Sequence, residues 1–261
     1  MSVTTTAQRA SSWLVASSVA QRIGSVALLV AVWQIVADAV HSGLLPSASA
    51  VFVTLAHECM DGPLFFHLGI TLARVAVAFF VAMVVGTAIG IVMGRSRTLD
   101  ALFDSWLVLL LNLPALVIIV LAYVWFGLTE AAAIGAVAVN KIPAVAVTLR
   151  EGARALDRSY SDMAASFHVG RWRTLRHVIL PQLYPYTFAA ARSGLALVWK
   201  IVLIVELLGR SNGVGFQIQL YFQQFDVTRI LAYAIAFAAV IQLIEWTVFQ
   251  PLERRAGRWR Q

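Results

Sequence analysis

Residues 69–94 read GITLARVAVAFFVAMVVGTAIGIVMG, an apolar run whose one charged residue is Arg74. A helix needs about 20 apolar residues to cross the ~30 Å hydrocarbon layer of a bilayer, and this run is longer than that. It lacks the alternation of apolar and polar residues that is typical of a membrane β-strand. The run therefore predicts a membrane-spanning α-helix.

The apolar character extends over most of the chain. Of its 261 residues, 60% are hydrophobic and only 13% are charged. Further apolar runs long enough to span a bilayer lie before and after the run at 69–94. We therefore predict an all-α integral membrane protein, a bundle of six helices. The predicted spans are residues 23–40, 69–94, 102–126, 129–149, 183–207 and 230–250, and the last five form a core at 69–250.

Arginines indicate how this bundle is oriented. They concentrate in residues 1–22, in the short connection after the second span, in 150–181 and in 251–261. The connections on the opposite side hold only Arg210 and Arg229. Because positive charge marks the cytoplasmic side, we expect both termini and the 150–181 loop to lie in the cytoplasm, with a basic tail at 251–261.

Residues 41–68 would then form an external connection. Within it, Leu45-Pro46-Ser47 predicts a turn into an amphipathic helix. The first span could instead belong to a signal peptide, because Ala48-Ser49-Ala50 resembles a cleavage site. That site lies about fifty residues into the chain, and Asp38 and His41 interrupt the approach to it, so a retained helix is favoured.

Composition and motifs exclude several classes of function. The net charge of +7 could suggest nucleic acid, but topology explains the basic residues, which lie beside apolar runs. Cys59 is the sole cysteine, and His168 and His177 have no nearby acids or thiols, so no metal site is predicted. No catalytic motif and no phosphate loop occur, so the chain is not expected to be an enzyme or to bind ATP.

Three glycines, Gly86, Gly90 and Gly94, repeat every four residues on one face of the second span. Such a ladder lets a second helix approach to backbone distance, where dispersion forces supply the attraction that lipid does not. The face is either an interface of the transport core or ordinary helix packing, and the pattern alone does not separate the two.

Polar and charged residues inside the spans indicate a transport pathway or internal ion pairs. Each charge costs roughly 2.5–3.5 kcal/mol at a helix centre, so these side chains should face protein or water. For Arg192 and Glu206 we favour pairing of Glu206 with Arg192 or Lys200, and Arg74 could also pair with an acid. For Lys141, which precedes a helix-bending Pro143, we favour the pathway. The pathway candidates are Asn112, Asn140, Lys141, Arg192, Lys200 and Glu206.

Residues 159–181, SYSDMAASFHVGRWRTLRHVILP, are polar and basic in an otherwise apolar chain. They predict two short helices, the first capped by Ser159 and the second ended by Pro181. A basic loop that contacts anionic lipid would explain the arginines. It would not explain Met163, Phe167 and Trp172, which predict an apolar docking surface for a partner protein.

This segment and its surroundings resemble the permease subunit of bacterial ABC importers of the nitrate, sulfonate and taurine group. That family carries Glu-Ala-Ala, three residues, Gly and, further on, Leu-Pro. Counted back from Leu180-Pro181, Asp162 replaces the glutamate and His168 the glycine. Counting forward from Gly170 would shorten the distance to Leu-Pro by two residues, so the first alignment is preferred. The resemblance assigns ATPase coupling to Asp162, Met163, Ala164, Ala165, Phe167, His168, Val169, Gly170 and Trp172.

Further similarities extend from about residue 44 to 255. The second span resembles the family's glycine-bearing helix, and the fifth span has a similar tryptophan and glutamate seven residues apart. The remaining matches are Leu45-Pro46-Ser47, Trp125-Phe126-Gly127, Pro143, Trp199 with Glu206, and the turn Ser211 to Gly215.

The resemblance implies a type I importer permease in the bacterial inner membrane that takes up a small anion, such as a sulfonate, nitrate or carboxylate, by alternating access. It implies a homodimer, two copies of an ATPase subunit that bind ATP and Mg, and a periplasmic or lipid-anchored binding protein. An ion-coupled secondary transporter is the alternative, and it would need no ATPase. A membrane-embedded enzyme or scaffold should show a catalytic group or a large extramembrane domain, and the sequence has neither.

Overall fold

The computed structural model describes residues 21, 24–157, 159, 163 and 166–251, apart from the side chains of Arg171 and Phe249. Within those residues the chain forms helices and no strand, so the all-α prediction is confirmed. The helices are α1 (Gly24–Val40), α2 (Ala48–Met60), α3 (Leu64–Arg95), α4 (Arg97–Asn112), α5 (Ala115–Phe126), α6 (Glu130–Arg154), α7 (Trp172–Gly209), α8 (Val214–Gln223) and α9 (Val227–Ile244).

Four of the described helices are long and apolar enough to cross a membrane. They are α3 with 32 residues, α6 with 25, α7 with 38, and the stretch Val227–Val248 with 22, in which α9 continues into a π-helical turn. The predicted first span forms α1, an apolar helix of the shorter class.

The predicted span 102–126 differs from the structure, which divides it into α4 and α5 with a bend of 96°. Pro114 causes the break, because it has no N–H to donate and disfavours a helical residue before it. Leu113 is accordingly extended, with ψ 127°. The two helices are together long and apolar enough for one span, and the bend makes them either a broken span or a re-entrant loop.

The prediction that Pro181 ends a helix is wrong, because α7 runs through it. Residues Leu175–Ile179 form a π-helical turn, in which the Leu180 N–H bonds to the Leu175 carbonyl. This wider turn accommodates a residue that cannot donate and whose ring would clash with the carbonyl four residues back in an α-helix. Leu175 and Ile179 pack against the core rather than on a separate helix.

The glycine ladder of α3 faces α6. A Cβ at Gly86 would lie 2.6 Å from Val145 Cβ, and one at Gly90 would lie 2.5 Å from the Ala146 carbonyl oxygen. A Cβ at Gly94 would be 2.6 Å from the Ala153 Cβ. Since real Cβ atoms do not approach so closely, only glycine allows this separation of the two helices.

Helix α2 lies in the predicted external connection. Ser47 caps it by accepting a hydrogen bond from the Ala50 N–H at 3.3 Å, as the Leu-Pro-Ser turn predicts. Buried Glu58 attaches α2 to α9, because it accepts a hydrogen bond from the Tyr233 hydroxyl at 3.0 Å. Arg229 lies 3.4 Å from the same carboxylate.

Candidate functional site

A buried ion-pair cluster joins α3, α6 and α7 at the end of the bundle opposite to Gly94. We define it as Thr71, Arg74, Glu130, Glu206 and Asn212, and name it after the buried pair of Arg74 and Glu206, since Glu130 at its edge is 46% exposed. Arg74 is 4% exposed and Glu206 is fully buried, with 2.7 Å between Arg74 Nη1 and Glu206 Oε1. Arg74 also donates from Nε and Nη2 to both oxygens of Glu130, at 2.5 and 3.0 Å. Such fork-like pairing is the strong form of a charge-assisted hydrogen bond.

Glu206 has further donors on its second oxygen. The Thr71 hydroxyl and the Gly215 N–H each donate to Oε2 at 2.9 Å. A buried carboxylate is expensive to desolvate unless its lone pairs are satisfied in this way. The donors to Glu206 come from two separate segments of the chain, α3 and the residues around Gly215.

The turn at residues 211–215 closes over the cluster. Asn212 accepts from Arg74 Nη1 through its carbonyl at 2.8 Å, and its side-chain oxygen accepts from Nη2. Gly213 has φ 106°, a conformation that favours glycine, and its N–H donates to His67 Nδ1 at 3.0 Å. His67 Nε2 then lies 2.6 Å from the Gln217 amide group. Hydrogen bonds at Asn212 and Gly213 thus hold the turn against α3.

Arg210 brings a second arginine to Glu130, with Nη2 at 2.7 Å from Oε2. It also donates from Nη1 to the Leu128 carbonyl at 2.5 Å. Two arginines thus balance two glutamates, and the cluster with its neighbour Arg210 has no net charge. Because its charges are balanced, the cluster is better suited to holding the helices together than to attracting an anion.

Glu206 and Arg192 both form ion pairs within the chain, as we favoured, but the partners that we named for Glu206 are wrong. Its partner is Arg74, while Arg192 lies 3.7 Å from Glu245 and Lys200 lies over the Trp199 ring at 5.4 Å. Arg192 and Lys200 are exposed on α7, whereas Glu206 is enclosed, so the three do not share one continuous polar stripe. The other pairing, Arg74 with an acid, is the one that the structure contains.

The remaining pathway candidates lie in different surroundings. Asn112 is exposed at the end of α4, where its side-chain amide donates to the Val108 carbonyl at 2.7 Å. Asn140 is half-buried on α6. Lys141, the next residue, is only 4% exposed. Pro143 lies two residues further on, within the same continuous helix. Of all the pathway candidates, Lys141 and Glu206 are the two enclosed charges.

The predicted coupling residues lie before α7 and at its start. Asp162, Ala164 and Ala165 fall outside the described residues. The apolar side chains that carry the docking prediction are exposed: 51% for Met163, 77% for Phe167 and 72% for Trp172. Val169 and Gly170 are exposed as well.

Two local features of this segment bear on its sequence. His168 has φ 51°, a left-handed conformation that glycine adopts more easily, which agrees with the alignment that places it at the family's glycine. The prediction that Ser159 caps the first helix is wrong. Ser159 is itself helical, and its N–H and hydroxyl donate to the Asp157 carboxylate at 2.9 and 2.7 Å. These bonds, the one from the hydroxyl foremost, lower the pKa of Asp157.

A second ionic cluster joins α4 to α6 near this segment. Arg150 lies 3.3 Å from Asp100 and also pairs with Asp104. Arg154 pairs with Asp100 and lies 2.9 Å from Glu151. These groups are partly exposed, in contrast to Arg74 and Glu206 of the buried ion-pair cluster.

Comparison with known proteins identifies the family. The family described as "Binding-protein-dependent transport system inner membrane component" matches residues 86–249. The chain belongs to this family. This family member is 29% identical over 236 residues to the aliphatic sulfonates transport permease protein SsuC of Bacillus subtilis (strain 168), covering 90% of this chain and 85% of the relative. It is 29% identical over 254 residues to the taurine transport system permease protein TauC of Escherichia coli (strain K12), covering 95% and 92%.

A solved structure has the same fold. A chain of the MetNI methionine ABC transporter superposes with a TM-score of 0.64 at 18% identity, covering 76% of this chain and 98% of that chain. By its family the chain is an ABC transporter permease of the multi-pass inner membrane type, and its fold is that of type I importers.

Sequence reasoning missed several members of the site. It named Arg74 and Glu206 but not Glu130, and it did not notice that His67, Thr71 and Arg74 share one face of α3. That spacing, with polar residues four and three apart in an apolar helix, was an available signal.

Proposed function

We propose that this permease forms the translocation pathway of an ATP-driven importer. The importer moves a small anion, such as a sulfonate, nitrate or carboxylate, into the cytoplasm by alternating access. The named sulfonate and taurine permeases among its relatives support an anionic solute, because a sulfonate group is ionised at neutral pH. Two permease copies, two ATPase subunits and an external binding protein complete the importer. ATP and Mg would bind to the ATPase.

The observation that carries this proposal is the exposed apolar surface of Met163, Phe167 and Trp172. Large apolar side chains in a basic loop outside the membrane favour a protein partner over water or lipid headgroups. In an ATP-driven importer this partner is the ATPase, whose closure would push on the loop and so reorient α6 and α7, which flank it.

The distribution of arginines supports a cytoplasmic position for this loop and for both termini. The buried ion-pair cluster would then lie toward the external side. The family of the chain, whose description names binding-protein-dependent transport, does not favour an ion-coupled secondary transporter.

Co-purification with the ATPase tests the proposal. The double substitution Met163→Asp and Phe167→Asp should abolish capture of the ATPase from detergent extracts, because it places two charges in the apolar contact. The matched control is Met60→Asp with Phe225→Asp, the same residue types exposed outside the apolar spans on the opposite side of the predicted topology. This control should retain the ATPase. Equal capture by both double variants would overturn the docking assignment.

A further inference from the structure

Lys141 differs from the other buried charges of the bundle. Arg74 and Glu206 bind each other, and buried Glu58 has Arg229 within ion-pair distance. Among the residues that the structure describes, none forms a hydrogen bond or an ion pair with the Lys141 side chain, although it is 4% exposed. A group in this position is unfavourable in the membrane as long as it stays charged and alone.

The surroundings of Lys141 show that the chain makes room for its side chain. A Cβ at Gly194 on α7 would lie 2.9 Å from Lys141 Cε and 3.6 Å from Nζ. The same Cβ would lie 3.3 Å from Phe79 Cε2 on α3. The absence of a side chain at Gly194 therefore leaves room for the Lys141 side chain between α6 and α7, and no described carboxylate lies within ion-pair distance of it.

We propose that Lys141 binds the anionic head group of the transported solute within the membrane, and that Gly194 opposite to it provides the space. This inference rests on the proposed function of an anion importer. The described part of the chain places no negative charge beside Lys141. The anionic solute supplies that charge, so its binding neutralises the lysine.

A lysine makes this site selective for charge rather than shape. Its ammonium is a compact point charge, whereas an arginine presents a planar fork that matches one carboxylate or sulfonate geometry. Lys141 therefore accepts sulfonates, carboxylates and nitrate alike and excludes neutral solutes. Discrimination among anions is left to the external binding protein.

The test uses the complete importer, with ATPase and binding protein, reconstituted in lipid vesicles. The probes are 35S-labelled ethanesulfonate, 15N-labelled nitrate and 14C-labelled acetate, and the anion that the wild type accumulates is then used for all variants. Lys141→Met fills a similar volume without charge. It should lower uptake at least about tenfold while the ATPase remains bound and ATP hydrolysis stays within about twofold of wild type. Lys141→Arg should retain part of the uptake with a changed KM for the anion.

Gly194→Ala provides an independent variant. Its methyl group displaces the Lys141 side chain, so the apparent KM for the anion should rise by about threefold or more. The matched control is Gly135→Ala on α6, where an added Cβ meets nothing within 4 Å. That control should leave uptake unchanged.

The outcomes separate this inference from the proposed function. A wild-type complex that shows no ATP-dependent uptake of any probe contradicts the proposed function itself. If the wild type takes up an anion and Lys141→Met does so at the same rate and KM, Lys141 does not bind the solute. Should Lys141→Met fail to assemble, Lys141→Arg and Gly194→Ala decide, and an unchanged KM in both overturns the inference.

Discussion

The buried ion-pair cluster and the loop before α7 satisfy their side chains in opposite ways. In the cluster, Arg74 and Glu206 find every partner within the chain, on three helices and one turn. In the loop, Phe167 and Trp172 remain exposed. The cluster is thus complete within the chain, whereas under the proposed function the loop is completed by the ATPase. Substitutions in the two regions should therefore affect different measurements.

The largest effect is expected in the cluster. Arg74→Met leaves the buried carboxylate of Glu206 without its main partner, which should lower the free energy of unfolding by about 3–5 kcal/mol. Unfolding of the detergent-solubilised protein by sodium dodecyl sulfate, followed by circular dichroism, measures this change.

The control for this prediction is Arg154→Met, which removes an arginine that is far more exposed than Arg74. Exposed pairs contribute about 0–1 kcal/mol, so this variant should unfold nearly as the wild type does. If the two variants lost the same free energy, the cluster would not be the stabilising element that its geometry indicates.

A smaller effect is expected along the α3–α6 interface, which extends from the cluster toward the loop. Gly90→Ala places a methyl group 2.5 Å from the Ala146 carbonyl oxygen, so the backbone must move. Overpacking of this kind costs about 1–3 kcal/mol, measured in the same unfolding experiment.

Gly135→Ala tests whether the cost comes from the contact. Its added methyl meets open space, and alanine favours a helix over glycine by about 0.5–1 kcal/mol. It should therefore be neutral or slightly stabilising. Destabilisation of both variants to the same extent would show that helix glycines are needed for a reason other than close packing.

The two regions also differ in how far the sequence predicts them. Long apolar runs identify membrane helices because bilayer thickness fixes their length, and glycines four residues apart identify a close helix contact. The choice of Arg74 as the partner of Glu206 was not predictable, since the two residues are 132 positions apart and Lys200 was an equally charged candidate nearer in sequence.

Prolines were interpreted wrongly in both directions. Pro114 breaks its helix, as the local rule states, although it lies within a long apolar run that predicts one continuous span. Pro181 was expected to end a helix and does not, because a π-helical turn replaces the α-helical geometry that the rule assumes. Pro143 likewise lies inside a continuous helix. Whether a proline breaks a helix thus depends on packing that sequence alone does not show.

The smallest expected effect lies in the loop and has the opposite sign. His168 has φ 51°, and a left-handed conformation costs a residue other than glycine about 1–2 kcal/mol. His168→Gly removes this cost but increases the freedom of the unfolded chain, so a net gain of about 0.5–1 kcal/mol is expected. Because the loop can open without unfolding the bundle, amide hydrogen exchange at residues 166–172 is the suitable measurement, and it should slow by a few-fold.

Gly170→Ala is the control, since its φ is not positive and an added Cβ there meets nothing within 4 Å. Faster exchange in His168→Gly would mean that the histidine side chain stabilises the turn and that the alignment of His168 with the family's glycine has no conformational basis.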